Sequence, residues 1–219
     1  MKEILIFIGV IAILVLIGFF FYQDLLKIGE KLSTREKQIM PEKVLEGKKA
    51  AIIIAYKDFR DEEYFVPKEI LEAAGVKIKN VSSQMGQALG ADGGQVKIDL
   101  LVKDLNPADF DAIIFIGGPG CLKYLDNEDS YRVAKETVSQ RKLLAAICIS
   151  PVILAKAGVL ERKKATVWSS IMDKSAIKTL EEKGAIYQAK DVVADGHILT
   201  ANGPAAASKF GEAIIDLLK

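Results

Sequence analysis

The sequence is poor in the residues from which many enzymes build metal and disulfide sites. Its 219 residues include two cysteines, Cys121 and Cys148, and one histidine, His197. A single histidine excludes any metal site that needs several imidazoles, and two cysteines provide no disulfide framework. We therefore expect no bound metal.

The sequence also has almost no excess of positive over negative charge, and few aromatic residues. Lys and Arg number 30 against 29 Asp and Glu, which leaves a formal net charge of +1, and aromatic residues make up 7% of the chain. A nucleic-acid surface needs a basic excess and, for single strands, aromatic rings on which bases stack. We expect no nucleic-acid partner.

Charged residues are absent from the N-terminal run Ile4–Tyr22, ILIFIGVIAILVLIGFFFY. As a helix this run would be ~28 Å long, close to the ~30 Å hydrocarbon core of a bilayer. It lacks the small-residue cleavage site of a secretory signal, so we predict an uncleaved single-pass membrane anchor over a cleaved signal. The basic residues that follow favour a cytoplasmic location for the rest of the chain, although a short basic head before an apolar run is also how exported domains begin.

The composition changes twice and suggests three segments. Residues 1–23 would form the anchor, residues 24–48 a charged juxtamembrane linker, and residues 49–219 a folded domain. Acidic residues interrupt the basic ones in the linker, so a plain spacer fits better than a polybasic lipid-binding segment.

Strand and helix patterns alternate along residues 49–219. Short apolar or alternating runs predict strands, and amphipathic runs predict helices between them. The predicted strands are 49–56, 76–82, 96–102, 111–116, 143–147 and 164–168, the helices 61–74, 128–140, 152–156, 173–183 and 205–218, with a glycine-rich turn at 86–94 and a hairpin at 192–201. This order predicts a parallel-sheet α/β sandwich, in which ligand sites lie at the carboxyl ends of strands.

Cys148 lies at such a strand end, in the stretch Leu143–Leu154, LLAAICISPVIL. The apolar run before it predicts a buried strand, and Pro151 suits the first turn of a helix. Free N–H groups at the start of that helix would favour the thiolate and lower the pKa of the cysteine. The alternative is a buried structural cysteine, because free cysteine is among the most buried residue types.

The loop Gly117-Gly118-Pro119-Gly120 follows another predicted strand. It lacks the Gly-Lys-Ser/Thr ending of a phosphate-binding loop and a full dinucleotide fingerprint, so we expect no cofactor. Its backbone N–H groups, next to a thiolate, would form half of an oxyanion hole. A tight turn that needs the conformational range of glycine is the structural alternative.

For several other residues near these strand ends, the sequence allows more than one role. One acid among Asp61, Glu62 and Glu63 could point over the sheet edge, where burial would keep it protonated and able to hydrogen-bond a thiolate. By default all three complement a helix N-terminus. Cys121 could be a resolving thiol or could simply fill its loop, and Trp168 would be a pocket wall or a core aromatic.

Four segments in order carry a family resemblance: FRDEEYFVPKEILEAAG, DAIIFIGGPG, LLAAICISPVILAKAG and DGHILTANGPAAASKFGEAIIDLL. They are similar to the ThiJ/PfpI family, within the flavodoxin-like class I glutamine amidotransferase-like superfamily. The resemblance implies that Cys148 is a nucleophile and that Glu63 donates a protonated carboxyl to it. It also implies that Gly118 and Ile149 supply backbone N–H groups to the oxyanion. Candidates for the surrounding pocket are Gly117, Trp168 and Cys121.

The same resemblance implies the substrates. Members show deglycase, glyoxalase, peptidase or chaperone activity, and many are oligomers. We therefore expect a small reactive carbonyl, or protein side chains modified by one, as substrate, and a homo-oligomeric assembly.

The chain departs from its relatives in lacking their histidines. The resemblance implies a histidine directly after the nucleophile in peptidase-like members, where Ile149 stands, and a histidine near Trp168 in other members. His197 fits a surface position. Loss of a general base costs about 10²–10⁴-fold in a hydrolytic step, whereas thiolate addition to an aldehyde stays feasible. Two hypotheses follow: an enzyme acting on reactive carbonyls through Cys148, or a non-catalytic redox-sensing or chaperone-like module. Peptidase chemistry ranks third and amidotransferase chemistry fourth.

Overall fold

Strands and helices alternate in the part of the chain that the computed structural model describes, residues 22, 23, 27 and 44–219. The strands are β1 (Lys49–Ile53), β2 (Lys57–Phe59), β3 (Lys77–Ser82), β4 (Gln87–Gly90), β5 (Gln95–Lys97), β6 (Leu100–Leu101), β7 (Ala112–Phe115), β8 (Leu143–Ile147), β9 (Lys164–Ala165), β10 (Ile186–Tyr187), β11 (Val192–Asp195) and β12 (Ile198–Ala201). The helices are α1 (Asp61–Ala73), α2 (Cys121–Leu125), α3 (Glu128–Ser139), α4 (Pro151–Lys156), α5 (Ser175–Glu182) and α6 (Ala207–Leu218).

A central sheet has the strand order β11-β12-β8-β7-β1-β3-β6. All of its pairs are parallel except β11 with β12, which form an antiparallel hairpin at one edge. The register aligns the strand ends, because Phe115 of β7 pairs with Ile53 of β1 and with Ala146 of β8. The loops after β7 and β8 therefore emerge side by side at the carboxyl edge of the sheet.

Both faces of this sheet are covered, which explains why its inner strands are apolar throughout. Neighbouring residues of β1 point to opposite faces. Ile52 lies in the core with Leu71 of α1 and Phe210 of α6, whereas Ile53 lies in the core on the other face with Val133 of α3. Helices α1 and α6 also pack against each other. The predicted flavodoxin-like α/β sandwich is confirmed in this part of the chain.

The structure divides the glycine-rich region differently from the prediction. Instead of a turn at 86–94 and one strand at 96–102, strands β2, β4 and β5 form a small separate sheet. The chain then leaves this sheet at Asp99, whose carboxylate accepts the Asn80 N–H at 2.8 Å. Strand β6 follows and pairs with β3 at the edge of the central sheet. Alternation alone could not show that one extended run serves two sheets.

The predicted single-pass membrane localisation is contradicted. Across residues 22, 23, 27 and 44–219, no helix has the length and apolar character needed to cross a bilayer. The apolar run on which the prediction depended lies outside these residues except at Tyr22. The predicted division into residues 1–23, 24–48 and 49–219 stays a prediction.

Candidate active site

Cys148 occupies a sharp turn between β8 and α4. Its φ of +65° lies in the left-handed region, which costs a non-glycine residue roughly 1–2 kcal/mol. Two backbone hydrogen bonds hold this conformation: the Cys148 N–H donates to the Ala201 carbonyl at 2.9 Å, and the Trp168 N–H donates to the Cys148 carbonyl at 2.8 Å. The turn presents the sulfur at the carboxyl edge of the sheet with 8% of the residue exposed.

Ser150 braces this turn and was missed by sequence reasoning. Its buried hydroxyl accepts the Ile147 N–H at 3.0 Å and lies 2.9 Å from the Phe115 carbonyl, to which it can donate. The hydroxyl therefore joins the ends of β7 and β8. A small hydroxyl residue between a strand-end cysteine and a proline was the signal that could have indicated it.

The glycine loop after β7 packs directly against Cys148. A Cβ atom on Gly117 would lie 2.5 Å from the Cys148 Cβ and 2.8 Å from Glu63 Oε2, so a side chain at this position would displace both. Gly118 has a φ of +110°, and a Cβ there would lie 2.3 Å from the backbone nitrogen of Arg60. These close approaches require glycine. They also bring the Gly118 N–H, like that of Ile149, near the Cys148 thiol, where both act to lower its pKa.

Glu63 is the acid that reaches the site. It lies in the first turn of α1 with 0% of its surface exposed, and its Oε2 accepts the Gly117 N–H at 3.1 Å. Its Oε1 is buried without a hydrogen-bond partner among the described residues. By contrast, Asp61 accepts the N–H groups of Asp92 and Gly94 in a neighbouring turn.

Burial raises the pKa of Glu63 to about 7, although interactions with the Cys148 thiol, the Gly117 N–H and Arg60 lower it by smaller amounts. Burial also raises the pKa of the Cys148 thiol as long as Glu63 is ionised, because the adjacent carboxylate charge adds to the effect, while the N–H groups of Gly118 and Ile149 oppose it. The rise in the pKa of the Cys148 thiol is opposite to the fall that the sequence predicted. Helix α4 has only 6 residues, so its N-terminal dipole is small compared with the cost of burial.

A cleft of about 300 Å³ opens beside the sulfur. Its walls are mostly apolar, and they are formed by Arg60, Gly118, Pro119, Leu122, Cys148, Ile149, Trp168 and Pro204. Of the predicted pocket residues, Trp168 lines the cleft, and Gly117 lies behind it against Cys148 and Glu63.

The remaining candidates do not line the cleft. Cys121 is fully buried at the start of α2, in the core on the face of the sheet that packs against α3 and α4. His197 is exposed in the turn between β11 and β12, and its carbonyl accepts the N–H of Leu144 near the start of β8. It therefore lies at the opposite end of the sheet from Cys148. In the part of the chain that the structure describes, no cluster of His, Cys, Asp and Glu side chains could hold a metal ion.

Comparison with known proteins identifies the family. The family model described as DJ-1/PfpI family matches residues 48–217. Deglycase PH1704 of Pyrococcus horikoshii is 30% identical over 168 residues, which make up 77% of this chain and 98% of that protein. The glutathione-independent glyoxalase DJR-1.2 of Caenorhabditis elegans is 28% identical over 172 residues, 78% of this chain and 89% of the relative.

A solved structure agrees with this match. The ThiJ/PfpI domain protein from Brachyspira murdochii is 34% identical, with a TM-score of 0.74 over 78% of this chain and 98% of that chain. The resemblance in the four sequence segments is confirmed: the chain belongs to the DJ-1/PfpI family.

Proposed function

We propose that this protein uses Cys148 to attack reactive carbonyl compounds, as a deglycase- or glyoxalase-type enzyme that works without a histidine base. The observation that carries the proposal is the fully buried Glu63 carboxyl, one oxygen of which accepts the Gly117 N–H while the other has no partner among the described residues. The deglycase and glyoxalase relatives support the class of substrate. Small reactive carbonyls and protein side chains modified by them are the expected substrates.

Glu63 and Cys148 share one proton around neutral pH. Ionisation of either group opposes ionisation of the other, so the pair loses its protons in two separate steps. After the first step the pair carries one negative charge, either as thiol and carboxylate or as thiolate and carboxylic acid. Burial penalises the single charge in both forms.

The form with the proton on Glu63 is the reactive one. Its O–H group can then satisfy the buried Oε1 atom by donating to the sulfur, and the Gly118 and Ile149 N–H groups stabilise the thiolate. A thiolate is therefore accessible at neutral pH despite the buried position of the cysteine.

Addition of the thiolate to an aldehyde is the first chemical step. A bond forms between Cys148 Sγ and the aldehyde carbon, and the π electron pair of the C=O bond moves to the oxygen. Backbone N–H groups beside the sulfur stabilise the developing alkoxide, which then takes the proton from Glu63. The products of the step are a hemithioacetal and a Glu63 carboxylate.

For a 2-oxoaldehyde, the Glu63 carboxylate then acts as the base. It removes the proton from the hemithioacetal carbon, and a proton returns to the neighbouring carbon through an ene-diol. The resulting thioester of a 2-hydroxy acid is hydrolysed by water, which releases the acid and restores the thiol. The net reaction adds one water to the 2-oxoaldehyde and needs no external oxidant or reductant.

Turnover of methylglyoxal by the Cys148→Ala variant tests the proposal. We expect no production of lactate above the uncatalysed rate, because the carbon–sulfur bond cannot form. Cys121→Ala is the matched control and should keep most of the activity, since the Cys121 side chain lies in the core and does not line the cleft. Full activity in Cys148→Ala would show that the mechanism is wrong.

A further inference from the structure

The cleft beside Cys148 is larger and more apolar than a three-carbon oxoaldehyde requires. Its volume of about 300 Å³ reaches the range of pockets that enclose drug-sized ligands. Apart from the cysteine and one arginine, its walls are glycine, proline, leucine, isoleucine and tryptophan residues. A small polar carbonyl would leave most of this apolar surface in contact with water.

Trp168 is the largest side chain in the wall, and it packs partly buried against the core. Its backbone N–H donates to the carbonyl of Cys148 at 2.8 Å, so the backbone that carries the indole is attached directly to the turn that carries the sulfur. On its other side, Cδ1 of the indole lies 3.4 Å from the position that a Cβ on Gly203 would take. An indole that lines the same cleft as the reacting sulfur can pack against a flat or branched apolar group.

Arg60 is the one charged residue in the wall among the described residues, and its charge has a partner. Its guanidinium donates to Asp92 Oδ2 at 3.2 Å. An apolar substrate leaves this ion pair intact, whereas an anionic substrate would have to compete with it. An uncharged, apolar substrate is therefore compatible with the charges in the wall.

We propose that the cleft selects reactive carbonyls that carry an aromatic or branched apolar group, with phenylglyoxal as the representative, over methylglyoxal. This inference rests on the proposed function, because the carbonyl must reach Cys148. The apolar group would lie between Trp168 and the Leu122 and Ile149 side chains. Each methylene accepted by a hydrophobic pocket changes kcat/KM by roughly 10–200-fold, so a phenyl group should produce a clear preference.

Kinetics provide the first test. The kcat/KM of each aldehyde is first divided by the rate at which that aldehyde reacts with a small free thiol, which corrects for intrinsic reactivity. We expect the corrected value for phenylglyoxal to exceed that for methylglyoxal by at least roughly tenfold. Trp168→Ala should bring this ratio close to one, and Trp168→Phe should preserve most of it. Ile171→Ser is the matched control, because Ile171 is 97% exposed in the same loop and should leave the ratio unchanged. A wild-type ratio of one or less would overturn the inference.

Binding provides a test that is independent of turnover. Trp168 is the single tryptophan of the 219-residue chain, so intrinsic fluorescence reports occupancy of the cleft. In the Cys148→Ala variant, cyclohexyl methyl ketone should change the fluorescence saturably, with a Kd at least roughly tenfold lower than that of acetone. Equal affinity for the two ketones would contradict apolar selection.

The two tests separate this inference from the proposed function. Methylglyoxal turnover that depends on Cys148, without a preference for phenylglyoxal, would overturn only the apolar selection. Preferential binding of the cyclohexyl ketone together with full activity of Cys148→Ala would overturn the chemistry and keep the apolar cleft.

Discussion

At the scale of single residues, the site depends on one buried carboxyl. Sequence reasoning reduced the choice to Asp61, Glu62 and Glu63, and the family resemblance selected the third. The residues alone could not decide, because all three stand in the first turn of one helix and only its rotation against the sheet determines which acid points inward. The structure buries Glu63 completely and leaves Glu62 exposed.

Burial of Glu63 should make stability depend on pH in a specific direction. The pKa of Glu63 rises from an ordinary value of 4.5 to about 7 in the folded protein. Between these values the unfolded chain loses this proton and the folded chain keeps it, so the free energy of unfolding falls as pH rises, by up to about 3 kcal/mol. Well below pH 4.5 the group is protonated in both states, and well above about 7 it is ionised in both, so the loss is complete.

Urea unfolding of the wild type and of Glu63→Gln, at pH 4.5 and pH 8, measures this effect. The variant cannot ionise at this position, so we expect it to gain stability relative to the wild type between the two pH values, by about 3 kcal/mol. Acids elsewhere in the chain contribute equally to both proteins and cancel. A stability difference that is the same at both pH values would contradict a buried, protonated Glu63.

At the scale of elements, the turn from β8 to α4 places the sulfur. The apolar strand, the cysteine and the proline at the helix start were all readable from the sequence. The left-handed φ of Cys148 and the brace from Ser150 were not, because both depend on β7 and β12, which are distant in sequence. Three hydrogen bonds from outside the turn, at Ala201, Trp168 and Phe115, hold it in this conformation.

Ser150→Ala tests this brace. The change removes the acceptor of the Ile147 N–H in a buried position, and a buried donor without a partner costs about 1–3 kcal/mol. We expect a loss of unfolding free energy of this size together with slower alkylation of Cys148. The exposed Ser139, whose hydroxyl donates to the Glu136 carbonyl within α3, offers the control: Ser139→Ala should change stability by less than about 0.5 kcal/mol. Equal effects from the two substitutions would show that Ser150 does not brace the turn.

At the scale of the whole molecule, the sequence predicted the class of fold better than the arrangement of its strands. Hydrophobic periodicity depends on local burial, so it located β1, β7 and β8 closely. It could not show that β7 and β8 are neighbours, although this adjacency brings the glycine loop to Cys148. The membrane localisation predicted from composition was wrong, and the expected homo-oligomer stays a prediction.

If Glu63 and Cys148 share one proton, the rate at which Cys148 is alkylated must follow the loss of that proton as pH rises. Iodoacetamide should be used in a Cys121→Ala background, with and without Glu63→Gln. We predict a reaction rate that rises with a midpoint near 7, where the pair loses its first proton, and a midpoint that moves up towards the ordinary thiol range of roughly 8.5 in the Glu63→Gln variant. The same midpoint in both proteins would show that Glu63 and Cys148 do not share a proton. Reactivity that begins only above pH ~10, well above the ordinary pKa of a thiol, would show the same.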